Sequence, residues 1–194
     1  MTIVLRSIAN KIISTFLLLL FLLLSAGVTD TSVVESAKIP EYYIKAGFLA
    51  NFARLVTWPD EFSDNSNGNI TLCVIDPTVF GEALNGIEGK VVRGKKLEIK
   101  TYASNVDFDR IQILFLNTKN SHARKVLLDR IKGKPILIVG EFPNFAQDEG
   151  MINFFSKNNR IRFEINRTRA EQVGLKISSR LLKFGKLVSS AHSN

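Results

Sequence analysis

Three short, almost wholly apolar runs constrain this chain most: "ITLCVI" at Ile70–Ile75, "QILFL" within Arg110–Asn117, and "PILIVG" at Pro135–Gly140. Each has the length of a strand, and each is bounded by turn formers. Continuous rather than alternating apolarity predicts strands covered on both faces, the habit of parallel sheets. Each of the first two runs is followed by a segment that reads as a helix. Asp76 is placed to cap one through its carboxylate, Pro77 suits its first position, and Gly86–Gly89 breaks it. Ser121–Ile131 reads as the next helix, ending before Gly133.

The flanking segments fit the same plan. From Tyr42, "YYIKAGFLANFARLVTWP" repeats Ile44, Phe48, Phe52 and Leu55–Val56 every three to four residues, which predicts one apolar helix face stopped by Trp58-Pro59. "DEFSDNSNGN" reads as a loop, and "KVVRGKKLEIKTYA" as extended chain turning at Gly94. "MINFFS" and "RIRFEIN" are two strands split by Lys157-Asn158-Asn159. The second alternates, with Ile161, Phe163 and Ile165 on one face and Arg160, Arg162 and Glu164 on the other. Arg167 to Val188 reads as a last helix, weak at Gly174. The expectation is an α/β fold over residues 40–190, a single three-layer domain. Its sheet is mixed and mostly parallel, flanked by helices, with a C-terminal hairpin and helix.

The N-terminus has a different character. Arg6 and Lys11 precede the uncharged run Ile12–Leu24, and the small residues Ser25, Ala26 and Gly27 follow. That order predicts a cleaved signal peptide over residues 1–26, a flexible leader over 27–39, and a periplasmic protein. A retained anchor is the rival reading, although a span needs roughly 20 apolar residues. Without Arg6 and Lys11 the chain keeps 24 basic against 18 acidic residues, hence +6. A basic exported domain can meet an acidic partner, lipid headgroups or wall polymers, and in that compartment no nucleic acid is expected.

The residues that could carry chemistry do not converge on a reaction. "IDPTVFG" after the first strand lacks the glycines a dinucleotide needs, and Asp76 would repel a pyrophosphate. Cys73 sits mid-strand among apolar neighbours, so it is expected as an inert, unpaired core thiol. One cysteine with His122 and His192 makes neither a metal site nor a convincing dyad. Glu141, Asp148 and Glu149 share a loop and read as solvated charge. No catalytic set, cofactor or metal is expected.

The remaining bias is basic. Lys157 to Lys186 holds nine cations against Glu164 and Glu171, and Lys176, Arg180 and Lys183 fall on one stripe of the last helix at i, i+4 and i+7. Such a stripe is either a solvated face or, with Arg160 and Arg162, a docking surface for an acidic partner or membrane. Phe145, Phe154 and Phe155 are candidate members of an apolar contact patch, the last two better suited to the core.

Several segments together, "YYIKAGFLANFARLVTWP", "ITLCVID" with "FGEAL", "GKVVRGKKLEIK", "GKPILIVGEFPNFAQDEGMINFF" and "NRIRFEINRTRAEQVGLKISSRLLKFGKLV", resemble the YfiR-like family of exported bacterial signalling proteins. The resemblance implies a small periplasmic α/β domain without catalysis or cofactor. It also implies repression of an inner-membrane diguanylate cyclase through contact with its periplasmic sensing domain; relief would raise cyclic di-GMP and favour biofilm. The regulatory protein is expected to be a homodimer. Relatives often carry a second cysteine before the "ILFL"-type strand. Ile111 occupies that position here, so a disulfide from Cys73 to it cannot form. The alternative from another class is a periplasmic domain binding a small molecule or wall ligand through the loops at Asp76–Phe80 and Glu141–Gly150.

Overall fold

The computed structural model describes residues 40–64, 68–102 and 107–191. The expected signal peptide, the leader and His192 lie outside the described residues. Among the described residues no helix is long and apolar enough to cross a membrane.

The chain opens with helix α1 (Glu41–Leu55), then β1 (Val56–Thr57), α2 (Asp60–Asp64) and β2 (Asn69–Val74). A 3-10 segment, Pro77–Leu84, leads into the hairpin of β3 (Val91–Val92) and β4 (Lys95–Thr101). Its turn is Arg93-Gly94, where both residues take positive φ, as expected at Gly94. Next come β5 (Ile113–Leu116), α3 (Ser121–Arg130), β6 (Leu137–Gly140) and α4 (Phe145–Asp148). The remainder is β7 (Ile152–Lys157), β8 (Arg160–Ile165), α5 (Arg167–Gln172), β9 (Lys176–Ile177), α6 (Ser179–Phe184) and β10 (Lys186–Leu187).

Eight strands form one sheet in the order β10-β8-β7-β6-β5-β2-β4-β3. From β4 through β7 every neighbouring pair is parallel; β7–β8 and β3–β4 are antiparallel. The fold is the expected α/β domain, mixed and mostly parallel. Its three apolar runs are β2, β5 and β6, and every residue of β5 and β6 is buried. Phenylalanines couple α1 to the hairpin: Phe52 meets Phe163 edge-on at 5.2 Å and stacks on Phe154 at 5.7 Å. A second ladder runs Tyr42, Phe80, Phe115, each step edge-to-face at 5.0 Å.

Four expectations change. The buried face of α1 is Lys45, Ala46, Leu49, Phe52 and Ala53, while Ile44 is exposed and Phe48 half-buried. A lysine enters this face because it meets carboxylates there. Asp76 does not cap a helix: its backbone is left-handed, no backbone N–H reaches its carboxylate, and that carboxylate accepts from the Thr78 hydroxyl. The segment after it is 3-10 and kinked at Gly81.

The continuous last helix is also absent. Gly174 takes φ of 81°, which turns the chain and lets Leu175 enter the core. Lys176–Ile177 then pairs with β1, and Ser178 caps α6 by accepting from the Leu181 N–H at 3.3 Å. Lys176 therefore lies on a strand, and the stripe Lys176–Arg180–Lys183 does not exist.

Phe145, proposed as a surface contact, is 2% exposed. Its ring is wedged between Gly140 and Gly150: a Cβ on Gly140 would come 2.6 Å from the ring's Cε1, and one on Gly150 would overlap that atom, with Cζ at 2.8 Å. Alanine at Gly150 should therefore force the buried ring aside and lower stability by about 2–3 kcal/mol. A fall in urea midpoint at unchanged slope is the expected result, and an unaltered midpoint would contradict the wedge.

Candidate partner-binding site

The β7–β8 hairpin turns through Asn158-Asn159, both at positive φ, a tight two-residue connection that asparagine tolerates. The turn fixes the register, setting Lys157 opposite Arg160 and Phe155 opposite Arg162. Residues opposite each other share a face, so Phe155 stands among three cations on one side of the hairpin. Beyond β8 the chain returns as β10, parallel to Glu164–Ile165. That approach requires Gly185, since a Cβ there would come 2.6 Å from Ile165 Cδ1 and 2.8 Å from the Phe163 ring.

The return creates a groove of about 610 Å³ lined by Phe155, Arg160, Arg162, Phe184, Gly185 and Lys186, with Lys157 at its mouth. Phe184 is 68% exposed, and next to the groove Leu187 is 56% exposed. Large side chains left in water beside a groove are the sign of a contact surface rather than of a core. Lys186 pairs with Glu164 at 2.9 Å. Lys157, Arg160 and Arg162 make no ion pair among the described residues. No carboxylate lines the groove, so its field is positive over an apolar centre.

Of the basic residues singled out from sequence, Arg160 and Arg162 meet in this groove, and Lys183 precedes Phe184. Lys176 lies on β9 and Arg180 on α6, both exposed and outside the groove's lining. Phe184 is the residue that sequence reasoning missed. Its signal was the "FGK" at the end of the supposed helix, where glycine interrupts the apolar pattern.

The other candidates are settled by burial. Cys73 is fully buried on β2, in register with Leu114 and Lys100. Burial pushes its thiol up to about 11, with Lys100 pulling weakly the other way, so it is not a thiolate at neutral pH. His122 is exposed at the start of α3 and cannot serve a buried thiol. Among the described residues no cluster of histidine, cysteine or carboxylates could hold a metal.

At the carboxyl ends of the parallel strands, where a ligand loop was considered, the side chains engage one another. Glu141, expected as solvated charge, is 14% exposed and pairs with the Lys45 ammonium, itself 5% exposed. Lys45 also meets Glu41 at 2.5 Å and lies over the Tyr42 ring, 4.3 Å from its centroid. The Tyr42 hydroxyl donates to Glu141 at 2.7 Å. Burial, then the Glu141 hydrogen bond and the surrounding carboxylates, hold the Tyr42 phenol protonated well above its usual range. Glu149 is likewise taken by Arg124, at 2.6 Å, whose guanidinium covers Phe142.

The family model described as YfiR/HmsC-like matches residues 42–186, from the first turn of α1 to the first residue of β10. The chain belongs to the YfiR/HmsC-like family. No curated protein matches the sequence. The family is regulatory and non-catalytic, with cyclic di-GMP signalling as its theme. In this YfiR/HmsC-like chain, the matched region takes in Tyr42, Lys45 and Glu141 as well as the hairpin, α6 and Lys186 that build the groove.

Proposed function

We propose that this protein is an exported regulator, released into the periplasm by cleavage after a signal peptide. There it holds an inner-membrane diguanylate cyclase inactive by contacting its periplasmic sensing domain. The observation that carries this reading is the groove beside β10, lined by Phe155 and Phe184 together with Arg160 and Arg162, which make no ion pair among the described residues. A phenylalanine centre ringed by charge is the composition of a protein contact: the aromatic supplies desolvation, the arginines orient an acidic partner and speed encounter. Membership of a regulatory family supports the same reading. The same reading takes the regulator to be a homodimer.

The test is cellular cyclic di-GMP in a clean deletion strain. Loss of the gene should raise it, and restoring the full chain should lower it again. A version lacking residues 1–26 should fail to restore it. An unchanged level in a deletion made where the gene is expressed would contradict repression of a cyclase.

A further inference from the structure

A second depression, of about 700 Å³, opens between the C-terminal end of α3 and α5, away from the partner groove. Leu128, Ile131, Ile138, Met151 and Val173 give it an apolar floor. Ile131, Ile138 and Met151 are buried core residues, so the floor is rigid. An apolar floor ringed by polar and charged side chains is a form that a small-molecule site can take.

The edge selects the ligand. Arg169 reaches it from α5, its backbone N–H already bound by the cap residue Asn166 at 3.0 Å. Its Nη2 donates to the carbonyls of Gln147 at 3.1 Å and Asp148 at 3.2 Å, and more distantly to the Ser190 hydroxyl at 3.4 Å. All three are neutral oxygens, so no carboxylate balances the guanidinium among the described residues. Its Nε is buried with no acceptor. The guanidinium thus brings a charge to the edge that no internal acid neutralises among the described residues. Lys125 and Lys132 on the same edge make no ion pair among the described residues, whereas Lys134 is held by Asp109 and Glu149 by Arg124. Asp129 and Asp148 also line the hollow, which disfavours phosphate and other multiply charged heads.

The geometry points to a binding site for a small amphiphilic carboxylate, a free acid whose single negative head meets Arg169 while its apolar tail lies on the Ile131–Met151 floor. Such a site gives the protein an input separate from the surface that meets the partner. Decanoate is a suitable probe. Titrated into the purified protein below its micelle concentration, it should saturate and shift the amides of Leu128, Ile131, Gly133 and Val173. Decanol, with the same tail and no charge, should bind about tenfold more weakly. Arg169→Gln should abolish that difference by weakening decanoate alone. Because Arg169 also anchors two carbonyls, Lys132→Glu on the exposed edge is the second variant; it should weaken decanoate several-fold without moving the unfolding temperature. Equal binding of decanol and decanoate, shifts confined to other parts of the molecule, no saturable binding, or unaltered decanoate affinity in Lys132→Glu would each overturn the assignment.

Discussion

Replacing Lys45 by methionine should lower the stability of this domain by about 3–5 kcal/mol, the usual effect of removing one partner from a buried ion pair. Methionine keeps the length and apolar stem of lysine, so the loss isolates the charge. Without the ammonium, Glu141, only 14% exposed, keeps the Tyr42 hydroxyl as its hydrogen-bond donor among the described residues, and Glu41 loses the same counter-charge. A carboxylate so placed must either ionise without a counter-charge or take up a proton. For a domain whose whole stability is of the order of 5–15 kcal/mol, this is a large fraction. The check is chemical denaturation of Lys45→Met beside the double variant Lys45→Met/Glu141→Gln. Neutralising Glu141 should recover at least about 1 kcal/mol, since the two sites share one interaction. If Lys45→Met alone unfolds like the parent, the cluster does not hold α1 to the sheet.

That cluster also shows where reading the sequence reaches its end. The strands β2, β5 and β6 were legible because a run such as "ILFL" buried on both faces has few other places to go. The hairpin β7–β8 was legible from alternation and an Asn-Asn turn. Lys45 was not, because its partner stands 96 positions away and no local pattern announces it. Its helix carries two overlapping apolar stripes, one through Ile44 and Phe48 and one through Ala46, Leu49 and Ala53, and distant packing chooses between them. The C-terminal segment failed differently. Its helical spacing is real over α5 and α6, but Gly174 and the Ser178 cap divide it, and pairing of β9 with β1 outweighs the residual helix preference. Phe145 looked like surface in a loop rich in polar residues; the two glycines that make room for its ring were the sign that it turns inward. Half of the groove was therefore visible, as Arg160 and Arg162; of its aromatic half, Phe155 was expected in the core but is only half-buried, and Phe184 was hidden by the wrong end to the last helix.

The second large effect concerns that groove. Arg160→Glu, Arg162→Glu and Phe184→Ser together should weaken binding to an acidic partner by about 2–4 kcal/mol, roughly 30- to 1,000-fold. The serine removes the central aromatic, and the glutamates reverse the rim, turning attraction into repulsion during encounter and in the complex. All three side chains are exposed, and exposed positions without internal partners tolerate substitution within about 0.5 kcal/mol. The fold should therefore survive while the contact is lost, which separates this variant from Lys45→Met.

The decisive measurement is cellular cyclic di-GMP in the deletion strain carrying this triple variant, at the same envelope abundance as the unaltered protein. Repression through the groove predicts that cyclic di-GMP stays at the raised level of the deletion. A return to the parental level would show that repression does not pass through Phe184, Arg160 and Arg162.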